Sequence, residues 1–535
     1  MYGLLNSGLW KYNRTIWIAI PVYNFSLFLD ECFKSINKQT YKNIHLCIFN
    51  DGSSDDSHKH ITRWIPVLRR TGFVCSYINF TVNKGPGYTK WKAIEYIRVR
   101  ARPTDIFTIL DGDDYYLKEY SVELIVMEYL KSGCLFTYGS AEGENTNEGS
   151  KIVDFERKNF DVFPFQHPRS CVVHLLSYFT KEDFKDHLDN WAQRCSDRQF
   201  IYKCIELAGV KNISYIDEPL YYYRSHKDNV RNKIDNEYKN CIDNFVINKV
   251  PCKRLNDVLH IVMCSYKRQD NLAQIIESID NQICENKIVF HIINTNVDMW
   301  ETTVDIVKTT AVKNVDVRLV NANDNLYGYA RFLYVKQLLK KEFIQNVVFI
   351  DDDQILKSDW IDFIYNKRTP FSYNCWHGRI FKRDGGQNIS YWDSTMIYDD
   401  IVKNKSAHIS EYEYGATSGA LIDAQIFNFE IVYRCPFRFR MVEDLWLSYV
   451  VRHILGRPIN RIMSTPVLDV ESLYNKHNDD SLFLKIKETK QEFLTELVST
   501  GFLIGETVKT ETLNKLLSND DSDFFLEGFT ICDSN

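Results

Sequence analysis

The run that most constrains this chain is Phe107 to Tyr116, FTILDGDDYY. Phe107, Thr108, Ile109 and Leu110 make a short buried strand, after which Asp111, Asp113 and Asp114 are released around one glycine. Burying that much like charge without a counter-charge is very costly. The carboxylates therefore belong at the carboxyl edge of a sheet, where open α/β folds bind ligands, and they should face a cation. Oxygen ligands favour Mg²⁺ or Mn²⁺ over zinc. A solvated acidic turn would carry the same string in isolation, but the arrangement returns at Val347 to Asp353, VVFIDDD, where a second apolar strand ends in Asp351, Asp352 and Asp353.

The residues before the first acidic strand alternate between two periods. Thr15 to Ile20 reads as a strand that delivers Pro21, Val22, Tyr23 and Asn24 to a loop. Leu27, Leu29, Phe33 and Ile36 recur at near-helical spacing, and Ile44 to Phe49 is a second strand ending in Asn50 and Asp51. A helix through Ile61, Trp64, Ile65 and Leu68, a strand at Val74 to Ile78 and a helix from Tyr88 to Arg100 complete a βαβαβαβ order. Short buried strands separated by helices imply parallel pairing with right-handed crossovers, hence a doubly wound α/β domain.

With 535 residues the chain is too long for one core, and two or three domains are expected. A net charge of −6 argues against non-specific nucleic-acid binding. Fourteen cysteines show no C-x-x-C pair, which makes zinc ribbons and thioredoxin-type sites unexpected and favours a reducing compartment. The N-terminal MYGLLNSGLWKYNR is too polar for a signal peptide, and no run approaches the ~18 apolar residues of a transmembrane segment. The expectation is a soluble cytoplasmic protein, peripheral to a membrane at most.

PVYN at Pro21 to Asn24, NDGSSDDS at Asn50 to Ser57, NKGPG at Asn83 to Gly87 and LDGDD at Leu110 to Asp114 resemble, in order, the nucleotide-sugar motifs of inverting family 2 glycosyltransferases of the GT-A fold. The resemblance implies that Pro21, Tyr23, Asn24, Asn83 and Gly85 line the donor, that Asp51 meets a uracil base, and that Asp111 and Asp113 hold Mn²⁺ or Mg²⁺ on the diphosphate of a UDP-sugar. Such a cation neutralises the leaving group as a Lewis acid. The family's general base is usually an Asp at a helix start, which points to Asp197 in CSDRQFIYKCIEL, with Ser196 where an acidic neighbour is expected. A plain helix N-cap explains Asp197 equally well. EPLYYYRSH, Glu218 to His226, resembles the family's Y-x-R-x-x-H ending, which implies His226 as a further metal ligand.

A polar stretch from Lys227 to Arg254 separates the halves, and the boundary is expected near Val250. Val258 to Cys264 then reads as a new first strand ending in Ser265, Tyr266, Lys267 and Arg268, followed by a helix through Leu272, Ile275, Ile276 and Ile279 and a strand from Ile288 to Ile293. Pro21 to Asp51 spans 30 residues and Ser265 to Asn294 spans 29, while Asp51 to Asp111 spans 60 and Asn294 to Asp351 spans 57. The spacing suggests two copies of one fold. NDNLYGYAR, Asn323 to Arg331, resembles the family's donor loop, with Asn325 in it and Arg331 placed for phosphate charge. GATSGALI at Gly415 to Ile422 resembles the family's small-residue acceptor loop. Only Asn294 or Asn296 is offered where the first copy has Asp51, so a uracil contact is not implied there. VEDLWLSYVV carries a fuller acidic pair, making Asp444 the candidate base with Glu443 beside it; Asp351 and Asp353 are the candidate metal ligands, and His477 a weak counterpart of His226.

The organisation expected is two consecutive GT-A domains with mostly parallel central sheets, at residues 1–250 and 251–480, then a helical extension at 481–535 with an acidic tail, SNDDSD. The function expected is bifunctional, metal-dependent, inverting sugar transfer from nucleotide sugars to a glycan, glycoprotein or glycolipid. A polymerase alternating two sugars has the same paired architecture, and one half could instead be a non-catalytic sugar-binding or scaffolding domain. A D-x-D-x-T/V phosphatase is disfavoured, because Tyr115 stands where Thr or Val belongs.

Overall fold

The computed structural model describes residues 11–143, 149–157, 163–226, 236–255, 258–322, 324–381, 389–392, 395–397, 412–462, 486–503, 506–518 and 531–533. The chain divides into two compact units, one built on Tyr12–Leu255 with Leu339–Phe343, the other on Asn256–Leu338 and the residues from Ile344 onward.

In the first unit, β1 (Ile16–Val22), β2 (Ile44–Asp51), β3 (Val74–Phe80) and β4 (Ile106–Ile109) pair in parallel, in the order β3-β2-β1-β4. Ile16, Ile18 and Ile20 of β1 and Leu46 and Ile48 of β2 are fully buried. Their neighbours Trp17, Ala19, Cys47 and Phe49 are buried as well, so both faces of these strands are covered and the runs read as continuous apolar stretches. Helices Leu29–Asn37, Ser57–Arg70 and Pro86–Arg98 make the crossovers. β5 (Tyr115–Tyr116), β6 (Phe136–Glu142), β7 (Gln166–Val172) and β8 (Ile213–Tyr222) extend the sheet to β3-β2-β1-β4-β7-β6-β8-β5. In this half, β4–β7 and β7–β6 are antiparallel and β6–β8 is parallel.

The second unit repeats that order. β9 (Val258–Ser265), β10 (Lys287–Asn294), β11 (Val315–Ala322) and β12 (Asn346–Ile350) are parallel in the order β11-β10-β9-β12. β13 (Tyr373–Cys375) belongs to the same sheet, whereas β14 (Gly378–Ile380), β15 (Thr395–Ile397) and β16 (Tyr414–Gly415) form a small separate one. β17 (Ala420–Asp423) and β18 (Ile459–Arg461) complete the large sheet as β12-β17-β13-β18. β12–β17 and β17–β13 are antiparallel and β13–β18 is parallel, matching β4–β7, β7–β6 and β6–β8 one for one. The decorations differ: β5 extends one edge of the first sheet, and β19 (Ile531–Asp533) pairs with β11 on the opposite edge of the second.

Register fixes residue equivalence more tightly than spacing does. Val22 lies opposite Asn50 in the first sheet and Ser265 opposite Asn294 in the second. The Asn50 amide donates to Asn79 Oδ1 at 2.8 Å on the neighbouring strand, and the Asn294 amide donates to Asn321 Oδ1 at 2.8 Å. Asn294 therefore stands where Asn50 stands and Thr295 where Asp51 stands, one residue away from the pairing that spacing suggested. Asn296 instead caps a short turn, accepting the Asp298 N–H at 3.2 Å.

After the second sheet the C-terminal region carries helices Lys487–Ser499 and Thr510–Ser518. The acidic tail beyond Ser518, Asn323 of the donor loop and His477 lie outside the described residues. No helix among the described residues is long and apolar enough to cross a membrane.

Candidate active sites

In the first unit, the carboxyl ends of β1, β2 and β4 meet. The Gly112 N–H donates to the Pro21 carbonyl at 3.1 Å, and a Cβ on Gly112 would lie 2.9 Å from that oxygen, so only glycine lets the acidic loop sit flush on the end of β1. Asn24 adopts a left-handed φ of 57° and staples two loops: its Oδ1 accepts the Ser54 N–H at 2.8 Å and its own N–H donates to Ser53 Oγ at 3.0 Å. Buried Asp51 accepts the Gly85 N–H at 2.8 Å and the Lys84 N–H at 3.1 Å, which ties the end of β2 to the NKGPG loop. Burial pushes its carboxyl up, against those backbone donors. Tyr23 and Asn83 are exposed beside this seam.

The three aspartates of the loop have separate positions. Asp114 accepts the Tyr221 hydroxyl at 2.8 Å and the Arg224 N–H at 2.8 Å, and so pins the YYYRSH segment to the loop. Burial, reinforced by the charges of Asp113 and Asp111, pushes its carboxyl up to about 9. Asp113 Oδ2 lies 2.9 Å from His226 Nε2, while Arg224 Nε donates to the Asp113 carbonyl at 2.8 Å. Asp111 has no ion pair among the described residues. Burial pushes its carboxyl up to about 7; Lys90 opposes this, and Asp197 and Asp113 add to it. Among the described residues no three His, Cys, Asp or Glu side chains converge as a preformed metal cage.

Asp197 lies in the first turn of the helix Ser196–Ala208 and is gripped by two cations. Lys90 Nζ forms an ion pair with its Oδ1 and also reaches Ser196 Oγ at 3.2 Å, while Arg169 Nη1 donates to Oδ2 at 3.2 Å. Burial raises the Asp197 carboxyl, but Lys90 and Arg169 outweigh it and hold the group below the usual carboxylate range. A depressed folded-state pKa contributes stability above the unfolded value of about 4 and loses it as pH falls further. Asp197→Asn is therefore expected to weaken the first unit against urea at pH 7, with the deficit shrinking below about pH 4. A deficit independent of pH would assign the loss to packing instead.

In the second unit, Arg331 is the hub. Its Nη1 donates to Asp351 Oδ1 at 2.8 Å, and its Nη2 to Glu443 Oε1 at 3.1 Å and Thr417 Oγ1 at 3.0 Å. A Cβ on Gly328 would stand 1.8 Å from Glu443 Oε1, so this approach requires glycine. Burial pushes Glu443 up to about 7, against the Arg331 charge. Asp444, next in the helix Glu443–Tyr449, accepts the Tyr414 hydroxyl and has no ion pair among the described residues. Asn325 accepts the Tyr327 N–H at 3.0 Å and shapes the donor-loop turn. Arg268 Nη1 donates to Asp352 Oδ1 at 3.0 Å and Asp353 Oδ2 at 2.6 Å, and the Tyr266 N–H donates to Asp352 Oδ2 at 3.3 Å. Burial, with the charge of Asp351, pushes Asp353 up to about 6. Buried Ser265 gives its carbonyl to the Thr295 N–H at 2.9 Å.

Sequence reasoning missed Lys90, Arg169 and Tyr414, and it named Arg268 only as a strand end and Thr417 only within the small-residue loop. Lys90 was within reach: Gly87-Tyr88-Thr89-Lys90 and Gly328-Tyr329-Ala330-Arg331 align without a gap, each near the start of the helix that follows the third strand. The pairs Lys90 with Ser196 and Arg331 with Glu443 are then counterparts. Arg169 and Tyr414 arrive on strands with no local signature.

Residues 17–203 match the family model described as glycosyl transferase family 2. EpsH of Bacillus subtilis (strain 168) is 22% identical over 40% of this chain and 61% of its own length. The chondroitin synthase of Pasteurella multocida (strain Pm70) is 25% identical over 42% of this chain and 22% of its own length. The glycosyltransferase GlyA of Streptococcus pneumoniae serotype 4 is 50% identical over 24% of this chain and 18% of its own. The chain thus spans between about a fifth and three fifths of these relatives' lengths. Among solved structures, S. aureus TarS in complex with UDP aligns at 17% identity over 40% of this chain and 61% of that one, with a TM-score of 0.32. The family 2 match thus runs from the first strand of the first unit into the helix that carries Asp197.

Proposed function

We propose that the chain is an inverting glycosyltransferase with one transfer site in each unit, taking sugars from nucleotide-sugar donors to a glycan, glycoprotein or glycolipid acceptor. The observation that carries this reading is the repeated placement of an acidic loop after the fourth parallel strand with an Asp-bearing helix start and a donor-loop cation beside it: Asp111, Asp197 and Lys90 in one unit, Asp351, Asp444 and Arg331 in the other. The chain is then read as two GT-A domains, 1–250 and 251–480, with an extension at 481–535.

In the first unit the donor lies along Pro21, Tyr23, Asn24, Asn83 and Gly85, with Asp51 toward a uracil base. Mn²⁺ or Mg²⁺ fits there. Asp111 is a half-buried carboxylate without an ion-pair partner among the described residues, and Asp113 with His226 adds an O,N donor pair beside it. Such an ion commonly takes one or two carboxylates and completes its shell with substrate phosphates. When bound, the cation would stabilise the nucleoside diphosphate as it leaves. Asp111 and Asp113 would hold it, and Asp197 would take the acceptor proton if Lys90 and Arg169 released it.

In the second unit Asp444 takes the acceptor proton, with Glu443 and Arg331 fixing the turn that carries it, while Ser265, Tyr266, Asn294 and Asn325 border the donor. The grip on Asp197 favours a second reading as well, in which the first unit binds donor and only the second transfers. A panel of nucleotide sugars, assayed for hydrolysis and transfer with Mn²⁺ present, tests both readings. Turnover of a UDP-sugar that survives Asp444→Asn supports two working sites. Transfer that falls as a whole by roughly 10²- to 10⁴-fold with Asp444→Asn supports the second reading, and no turnover of any donor would overturn both.

A further inference from the structure

The two acidic loops are neutralised in different ways. Beside Asp113 the first unit places a histidine, and Asp111 has no ion pair among the described residues. In the second unit every aspartate of the loop already has a guanidinium: Asp351 has Arg331, and Asp352 and Asp353 share Arg268. Register shows where this difference enters. Val22 and Ser265 are equivalent, so Arg268, three residues beyond Ser265, stands where the first unit has Phe25. Phe25 packs edge-on to His226 with ring centroids 6.3 Å apart.

A divalent cation bridging Asp351 and Asp353 would have to displace contacts of 2.8 Å and 2.6 Å. Both guanidiniums are largely buried, with side-chain exposures of 6% and 20%, and a buried charge stripped of its partner is strongly destabilising. The metal-ligand role suggested for Asp351 and Asp353 therefore does not fit this arrangement. Arg268 nevertheless retains donors for a ligand. Both of its carboxylate bonds use Nη1, and among the described residues Nε and Nη2 make no hydrogen bond. A guanidinium with two free N–H edges suits a phosphate oxygen pair.

We propose that Arg268 is the resident cation of the second unit, receiving the donor diphosphate there in place of a divalent metal. This rests on the reading that the second unit binds a nucleotide sugar, and it assigns a specificity: binding without Mn²⁺ or Mg²⁺.

The test uses the full chain carrying Asp113→Asn, which silences the first unit's cation site. Mn²⁺ titration followed by electron paramagnetic resonance is expected to show no bound equivalent. One equivalent that disappears on adding Asp353→Asn would overturn the proposal. In the same background, calorimetry with inorganic pyrophosphate in EDTA is expected to show binding that weakens at least tenfold with Arg268→Ala and less with Arg268→Lys, which keeps the charge and loses the fork. Binding abolished by EDTA, or unchanged in Arg268→Ala, would overturn it. The single variant Asp353→Asn should still bind one Mn²⁺, and loss of that equivalent would count against the first unit's metal site rather than against Arg268.

Discussion

Asp444→Asn is expected to lower transfer at the second site by roughly 10²- to 10⁴-fold, the usual contribution of a positioned general base, while donor binding stays within a few-fold of wild type. Asparagine keeps the shape and still accepts the Tyr414 hydroxyl, so the helix start at Glu443 should hold. What it loses is the capacity to take a proton. The geometry makes this the cleaner of the two base tests, because Asp444 has no ion pair among the described residues, whereas Asp197 is gripped by Lys90 and Arg169. Calorimetry for donor affinity and NMR of the product's anomeric configuration decide the matter. Wild-type transfer by the variant, or a product retaining the donor's configuration, would remove Asp444 from the role.

The contrast between the two helix starts has a physical origin in one exchanged pair. In the second unit Arg331 spends its charge on Glu443 and Asp351, which leaves the next residue, Asp444, to a hydroxyl. In the first unit Ser196 takes the place of Glu443, so the cation on the equivalent turn, Lys90, has no glutamate to meet and closes on Asp197. Ser196→Glu is the substitution that would return the second unit's arrangement to the first.

Most of the parallel half of each unit was legible in sequence because its inner strands are buried on both faces and its crossovers carry helical periodicity, as in Ile44–Asp51 followed by Ser57–Arg70. The mixed half was not. β13 and β18 are three residues each, too short for a period, and β7 contains Pro168 and Arg169, which break an apolar pattern. β11 was missed for a related reason: Asp316, Val317 and Arg318 are only half-buried, so the run VDVRLVNA lacks a continuous apolar stretch. The acids of the site could be read from the strands they terminate. Their cationic partners could not, since Arg268 lies more than 80 residues from the aspartates it meets and Arg169 lies 28 from Asp197. The one-residue offset between Asn294 and Asp51 was likewise invisible to counting, because loops absorb insertions freely while strand register does not.

Asp113→Ala is expected to remove the first unit's transfer almost wholly. A bound cation contributes several kcal/mol of leaving-group stabilisation, so its loss lowers the rate by roughly 10³-fold or more. The substitution also strips His226 of the carboxylate 2.9 Å from its Nε2, so both the oxygen and the nitrogen donor beside Asp111 are disturbed together. Asp114→Asn makes the informative comparison, because Asp114 faces away into the Tyr221 and Arg224 contacts that anchor the loop. It should lower the first unit's stability toward urea while leaving one Mn²⁺ equivalent bound, whereas Asp113→Ala should abolish that equivalent at near-normal stability. The two variants separate holding a metal from holding the loop. If Asp113→Ala hydrolysed and transferred from a UDP-sugar at the wild-type rate, or if EDTA left first-unit transfer intact, the acidic loop would be a structural turn and the cation chemistry assigned to it would fall.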